Sequence, residues 1–433
     1  MTILRTLLAL VLLALAPAAL AQPLEFGTPQ NFRPYDQRGI NVFEPLKGDN
    51  TDYDGFELFW GAAFTQQFQA INHDNSATAV LDGNGVNQNA LLDIGAGFNL
   101  ATANLLLGAQ LAEGIRVNLI TYLSSRHHPE AWVKGGYVQA DALPMLGSDA
   151  VDQLMQYLTV RVGHFEINYG DAHFRRTDNG MAMYNPFVGN LIMDSFTTEI
   201  GGEVYFQHPS GVLAMAAITG GEIRGAVERP DDRAPSFYGK VGFDRQVNEN
   251  LRVRLTGSGY TTTKSLNNTL YGGDRAGSRY YGVMENTQSS FGSNFTSGRF
   301  NPGFRDQITA FQLNPFVEFN GLELFGVIET ASGRAANEME DRTWTQLAVE
   351  GVYRFVDDQF YVGGRYNTVS GDLPGSGAEA SITRVAASAG WFPTRNLLLK
   401  AEYVSQTYDD FAQTSIFNGG EFNGFMIEGV LAF

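Results

Sequence analysis

The stretch Phe319-Asn320-Gly321-Leu322-Glu323-Leu324 decides how the rest of the chain is read. It sets an aromatic residue before a two-residue turn, then opens an alternating run with Leu322, Leu324 and Ile328 on one face and Glu323 and Glu329 on the other. An Asn-Gly pair between such runs marks a β-hairpin. The same order recurs at Phe206 before His208-Pro209-Ser210-Gly211, Phe243 before Asn248-Glu249-Asn250, Phe355 before Asp357-Asp358 and Phe392 before Pro393-Thr394-Arg395-Asn396. These aromatics are expected to share one rim. The opposite strand ends are joined by much longer polar stretches, such as 261–301, which contains Tyr271-Gly272-Gly273-Asp274. A soluble sandwich has no reason to sort short turns to one side and long loops to the other. A barrel crossing a membrane does.

Alternation supports strands throughout. Phe56, Leu58, Trp60, Ala62 and Phe64 oppose Glu57, Phe59, Gly61, Ala63 and Thr65; Val253 and Leu255 oppose Arg252, Arg254 and Thr256; Leu397, Leu399, Ala401 and Tyr403 oppose Lys400 and Glu402. Strands are predicted to open near Gly55, Ala90, Ile115, Ala131, Leu158, Thr197, Val212, Phe237, Leu251, Gln307, Leu322, Thr343, Phe360, Ala380, Leu397 and Phe422. That is an all-β transmembrane antiparallel barrel of about sixteen strands. Closure pairs the backbone amides that lipid cannot satisfy. Parity puts the tight turns in the periplasm and the long loops outside, with 143–156 as a small periplasmic helix.

The two chain ends fit export. Arg5, an apolar run from Leu7 to Ala16 and the small-residue site Ala19-Leu20-Ala21 predict a signal peptide over 1–21. Residues 22–53, with Pro23, Pro29, Pro34 and Pro45, are expected to form an irregular periplasmic lead or a plug, and 54–433 the barrel. The final strand carries Phe425, Ile427, Gly429, Leu431 and Phe433 on one face. A terminal phenylalanine there resembles the assembly signal of bacterial outer-membrane barrels, so the expected location is the bacterial outer membrane.

Composition narrows the chemistry. The chain holds 46 acidic against 29 basic residues, a net charge of −17, which disfavours nucleic acid as a partner. With 0 cysteines it has neither disulfides nor thiolate sites, while 49 glycines suit many turns. The six histidines, His73, His127, His128, His164, His173 and His208, have no convincing catalytic partner in sequence. His127-His128 point apart on an extended chain, and the calcium-like start at Asn50, Asp52 and Asp54 meets Gly61 where a bidentate Glu is required. Gly95 and Gly97 sit inside an expected strand and lack the third glycine of a dinucleotide loop. No enzyme activity, cofactor or metal is expected.

The segments Gly97-Phe98-Asn99-Leu100, Leu158-Thr159-Val160-Arg161-Val162-Gly163-His164-Phe165-Glu166-Ile167-Asn168-Tyr169-Gly170 and Leu322-Glu323-Leu324-Phe325-Gly326 resemble the phosphate-selective porin O and P family. The resemblance implies a sixteen-stranded, usually trimeric, anion-selective barrel with basic residues along its lumen. Alternation turns Arg116, Arg252, Arg254, Arg365 and Lys400 inward, and Arg161 lies in the resembling stretch. The same rule turns Glu199, Glu203, Glu318, Glu323, Glu329, Glu350 and Glu402 inward, and Glu166 departs from the expected basic character. These charges either form an ion track or pair across strands to stiffen the wall.

The third long loop, 171–196, is the expected constriction. It groups His173, Phe174, Arg175, Arg176 and Asp178, then turns less polar from Met181 to Ile192, a stretch expected to pack on the inner wall or on a neighbouring copy. The candidate pore-lining residues are therefore Arg116, Arg161, His173, Arg175, Arg176, Arg252, Arg254, Arg365 and Lys400. The expected function is passive diffusion of small hydrophilic solutes or ions, phosphate among the anions, by a homotrimer in contact with outer-membrane lipid. The alternative is a structural or adhesive barrel with a blocked lumen.

Overall fold

A computed structural model of the chain describes residues 24–26, 31–45, 47, 53–127, 130–223, 225–274, 276–290, 292, 296–375 and 377–433. The export segment 1–21 lies outside the described residues, as do Asn50, Asp52 and His128. The strands are β1 (Leu24–Phe26), β2 (Glu57–Asp74), β3 (Gly97–Ala112), β4 (Ile115–Ser124), β5 (Trp132–Ala140), β6 (Leu158–Glu166), β7 (Thr198–Gln207), β8 (Val212–Thr219) and β9 (Ser236–Asn248). They continue as β10 (Leu251–Thr262), β11 (Gln307–Phe319), β12 (Leu322–Arg334), β13 (Arg342–Phe355), β14 (Phe360–Asp372), β15 (Glu379–Thr394), β16 (Leu397–Asp409) and β17 (Glu421–Ala432).

Each strand from β2 to β17 pairs antiparallel with its sequence neighbours, and β17 pairs back onto β2 through Ala432 and Ala63, so sixteen strands close into a barrel. Beyond that seam β1 pairs parallel with β2, Leu24 opposite Leu58. No helix among the described residues is long and apolar enough to cross a membrane. The strands cross instead.

The Asn320-Gly321 hairpin forms as its residues require. Both sit at positive φ, 48° and 81°, and Phe319 pairs directly with Leu322; only such a turn matches the twist of its strands. The tight connections lie at one end and the long ones at the other, apart from 141–157, which lies at the tight end. The segment 143–156 holds a 3-10 turn, Pro144–Leu146, and a short α-helix, Asp149–Met155. The predicted strand openings fall within two residues of the observed ones except at Ala90, where β3 begins at Gly97. The alternating residues ahead of Gly97 bond elsewhere: Leu92 N–H donates to the Glu285 carbonyl of a long loop (2.8 Å). Gly95 thus precedes the strand instead of lying within it.

Outside, the barrel is apolar. On β11 the outward residues Phe311, Leu313, Pro315, Val317 and Phe319 span roughly 19 Å at ~3.3 Å per residue and ~45° tilt. A periplasmic aromatic rim is present, with Phe355, Phe360 and Trp391 stacked at 5.8 and 6.3 Å. Phe392 is not part of it. Unbroken alternation along β15 leaves Trp391 outward and turns Phe392 in against Tyr361 (6.2 Å). The other edge carries hydroxyls in cross-strand pairs, Thr261 with Thr309 (3.0 Å), Thr343 with Ser332 (3.3 Å) and Thr368 with Thr383 (3.1 Å).

Candidate permeation path

The lumen is largely filled. Loop 167–197, the third long connection, folds inward, and nearly every residue from Asn168 to Thr197 is buried. Its less polar part lies on the inner wall as the sequence predicts: Met181, Ala182 and Met183 pack with Ala63, Leu398 and Val430, and Leu191 with Phe316 and Phe325. At Gly180 the loop approaches the wall so closely that a Cβ would stand 2.5 Å from the Ala63 carbonyl oxygen. A side chain there would push the loop off β2.

Loop 263–306 also enters the barrel, which its serines, asparagines and glycines did not signal. Leu270, Tyr271, Tyr280, Val283 and Met284 join the main buried cluster. The tyrosines enter because wall carboxylates receive their hydroxyls: Tyr271 donates to Glu329 (2.8 Å) and Tyr280 to Glu402 (2.7 Å). The N-terminal segment is the third insert. Phe43 sits 5.3 Å from Phe316, with the Arg254 guanidinium 4.3 Å from its ring.

Most candidate basic residues are engaged in holding these inserts. Arg175 donates to Glu323 (3.1 Å) and Glu350 (3.4 Å) and to Asn41; Arg365 donates to Glu350 (2.8 Å) and the Gly189 carbonyl (2.7 Å). Arg254 joins Asp171 (2.8 Å) and Glu44 (2.6 Å), and Arg252 joins Asp244 (2.7 Å). Arg116 joins Asp141 (2.7 Å). Lys400 donates to Glu428 (2.7 Å) and to three carbonyls of the third loop. Pairing suits these depths, since a buried charge stripped of its partner is strongly destabilising.

Two cavities lie against the β4–β7 wall. The lower, about 200 Å³, is lined by Arg33, Lys134, Arg161, Glu166, His173 and Arg176 among others. The upper, about 390 Å³, includes Trp132, Lys134, Phe196, Thr198 and Asp274. They share Lys134 and Thr198. Lys134 forms an ion pair with Asp178, which Arg176 also approaches (3.5 Å), so an ion pair stands where the two meet. A larger groove, about 850 Å³, lies on the lipid face, where Gly239 and Gly257 leave room beside Val241 and Phe311.

Of the nine sequence candidates, Arg161, His173 and Arg176 line the lower cavity, and the other six do not. Lys134 escaped the sequence reading because it is the extra residue of a bulge: Ile120 faces Gly135, Thr121 faces Val133, and strict alternation fails between them. Arg33 escaped because it precedes the barrel. Its guanidinium lies 3.6 Å from the Tyr184 ring and donates to the carbonyls of Gly39 and Phe174 (both 2.8 Å). No carboxylate is within ion-pair distance of it among the described residues, and burial pulls its pKa down to about 10.

The loop groups respond to this setting. Burial opposes ionisation of Asp194, but Arg176 and Arg299 hold its carboxyl below the usual range. Burial likewise opposes ionisation of Glu44, and Arg254 and Lys240 outweigh it. His173 Nδ1 is 2.9 Å from Glu166 and Nε2 2.9 Å from Asn168; burial lowers its pKa, with Glu166 acting the other way. Among the described residues no three His, Asp or Glu side chains are placed to hold a metal.

The barrel is similar to solved outer-membrane structures. OmpT of Vibrio cholerae, an outer membrane protein in a trimer form, superposes with a TM-score of 0.52 at 10% identity over 88% of this chain and 100% of that one. An anion-selective porin from Comamonas acidovorans gives 0.52 at 11% identity over 87% of this chain and 100% of its own. The fold is that of an outer-membrane porin. The outer membrane channel DcaP of Acinetobacter baumannii agrees, at 0.51, 10% identity, and coverage of 90% and 100%. No protein-family model and no curated protein matches the sequence. A porin barrel of this kind resides in the bacterial outer membrane, and its aromatic rim and hydroxyl edge mark the two interfaces.

Proposed function

We propose that this porin passes small hydrophilic solutes down their gradients, along the β4–β7 wall, with a preference for anions. The carrying observation is the pair of cavities in series meeting at the Lys134–Asp178 ion pair. The lower cavity is lined by the cations Arg33, Lys134, Arg161 and Arg176 against the carboxylates Glu44, Glu166 and Asp178. That excess favours anions in a low-dielectric lumen, and inorganic phosphate is one that fits the family resemblance. Transport then rests on steric exclusion and local field, with no catalytic step. The leader 1–21 exports the chain, residues 31–45 act as a plug narrowing the lower cavity, and three copies assemble.

One observation favours a second reading, a scaffold barrel with a blocked lumen. The lower cavity holds only about 200 Å³ and the N-terminal segment forms part of its floor. Planar-bilayer recording decides between them. Steady open-channel current supports the porin, and a silent barrel supports the scaffold.

A further inference from the structure

The barrel wall is not paired to its full height between β5 and β6. Their ladder runs from Ala140 opposite Val160 only to Gly136 opposite His164. Yet β5 extends outward to Trp132, paired there with Tyr122 of β4, and β6 extends to Glu166, paired with Thr198 of β7. The cause is local. The bulge at Lys134 bends β5, and a bulged strand turns away from its neighbour's ladder.

The upper cavity fills this parting. Its lining joins both faces of the bulged strand to the loops above it: Val133 (61% exposed) faces outward on β5 and Ile223 (53%) lies in the β8–β9 connection, whereas Lys134, Asn179 and Asp274 are buried inside. An intact wall would separate these groups. Along β7, Thr198 stands eight residues beyond the rim residue Phe206, roughly 19 Å higher at ~3.3 Å per residue and ~45° tilt, within an apolar band of ~25 Å. Irregular backbone at such depth is tolerated where it borders a polar cavity.

We propose that this gap is a lateral portal through which an amphipathic anion, an apolar body with one acidic head group, passes between the lumen and the outer leaflet. The body meets Trp132 and Tyr122, an edge-to-face pair 5.9 Å apart, and Phe196 on the inner side. The rim is apolar, at Val133 and Ile223. Its charged lining, Lys134 and Asp274, belongs to a deeper charge network: Arg176 joins Asp194 (2.8 Å) and Asp274 (2.5 Å), Arg299 joins Asp194 (2.5 Å), and Lys134 joins Asp178. With Arg279 and Arg126 beside Asp274, and Glu166 beside Lys134 and Arg176, five cations face four carboxylates, so an acidic head gains where a neutral one does not. This route is additional to diffusion along the lumen and does not depend on it.

The test uses the full barrel in lipid vesicles with 10-bromodecanoate, whose bromine quenches tryptophan on contact. A saturable component, above the linear quenching of the outward-facing Trp60 and Trp391 by probe dissolved in the bilayer, is expected in the wild type and absent from Trp132→Phe, with unlabelled decanoate competing and the uncharged methyl ester at least tenfold weaker. Lys134→Gln is expected to weaken binding about tenfold, and Lys134→Arg, which keeps the charge, to restore most of it. Quenching that is linear in probe, equal for acid and ester and unchanged by Trp132→Phe would overturn the portal. Ion current through the same preparation reports separately on the porin, so loss of the one does not follow from loss of the other.

Discussion

Lys400 and Glu402, neighbours on the inner face of β16, grip the same loop segment through opposite poles of its backbone. The Lys400 ammonium donates to the carbonyls of Ala182 (3.0 Å), Asn185 (2.9 Å) and Phe187 (2.8 Å). The Glu402 carboxylate accepts from the amides of Val188 (2.8 Å) and Gly189 (3.2 Å). A segment without regular secondary structure has its polar groups satisfied by two alternate residues of one strand.

Breaking this grip should free the third loop. Lys400→Met leaves Glu428 buried without its ammonium, and removal of one partner of such a pair costs about 3–5 kcal/mol. The expected result is a lower thermal unfolding temperature together with larger and noisier single-channel conductance. Calorimetry and bilayer recording on the same sample check both.

Adjacent arginines should behave differently. Both are ion-paired, Arg176 with Asp194 and Asp274 and Arg175 with Glu323 and Glu350, but only Arg176 lines the lower cavity. Arg176→Gln is therefore expected to shift the zero-current potential toward cations. Arg175→Gln is expected chiefly to destabilise the barrel, seen as an earlier melting transition with selectivity nearly retained.

Acid should strengthen any preference for anions. Burial lowers the pKa of His173 from its ordinary value of 6.5, so the ring is neutral at pH 7 and gains its proton only below that value. It then adds positive charge to the lower cavity, facing Glu166 of β6, Lys240 of β9 and Glu44 of the N-terminal segment. Zero-current potentials measured from pH 7.5 to 4.5 should move toward anions as pH falls. His173→Gln should flatten that part of the profile.

Phe43 anchors the N-terminal insert between Arg254 and Phe316. Phe43→Ala removes a fully buried ring, a change that costs about 3–5 kcal/mol. A wider lower cavity, read as raised conductance and faster passage of small neutral sugars in vesicle swelling, is the expected outcome.

The strands were legible because lipid imposes a rule the sequence must show at every second residue. Leu322, Leu324 and Ile328 face out, and Glu323 and Glu329 face in. The lumen obeys no such rule. Its filling is polar, so loop 263–306 has the composition of a solvent loop although Tyr271 and Tyr280 are buried on Glu329 and Glu402. Likewise, alternation told which arginines point inward but not which carboxylates claim them. Lys134 shows the remaining limit: one bulge shifts the count by a residue, and the group standing between the two cavities drops out of the pattern.

The most direct measurement is the zero-current potential of the refolded barrel in a planar bilayer under a salt gradient, with Lys134→Gln beside the wild type. A steady open-channel current of anion-preferring sign, weakened in the variant, is the predicted result. A barrel that inserts yet carries no current, or one whose selectivity is unmoved by Lys134→Gln, would contradict a path along the β4–β7 wall.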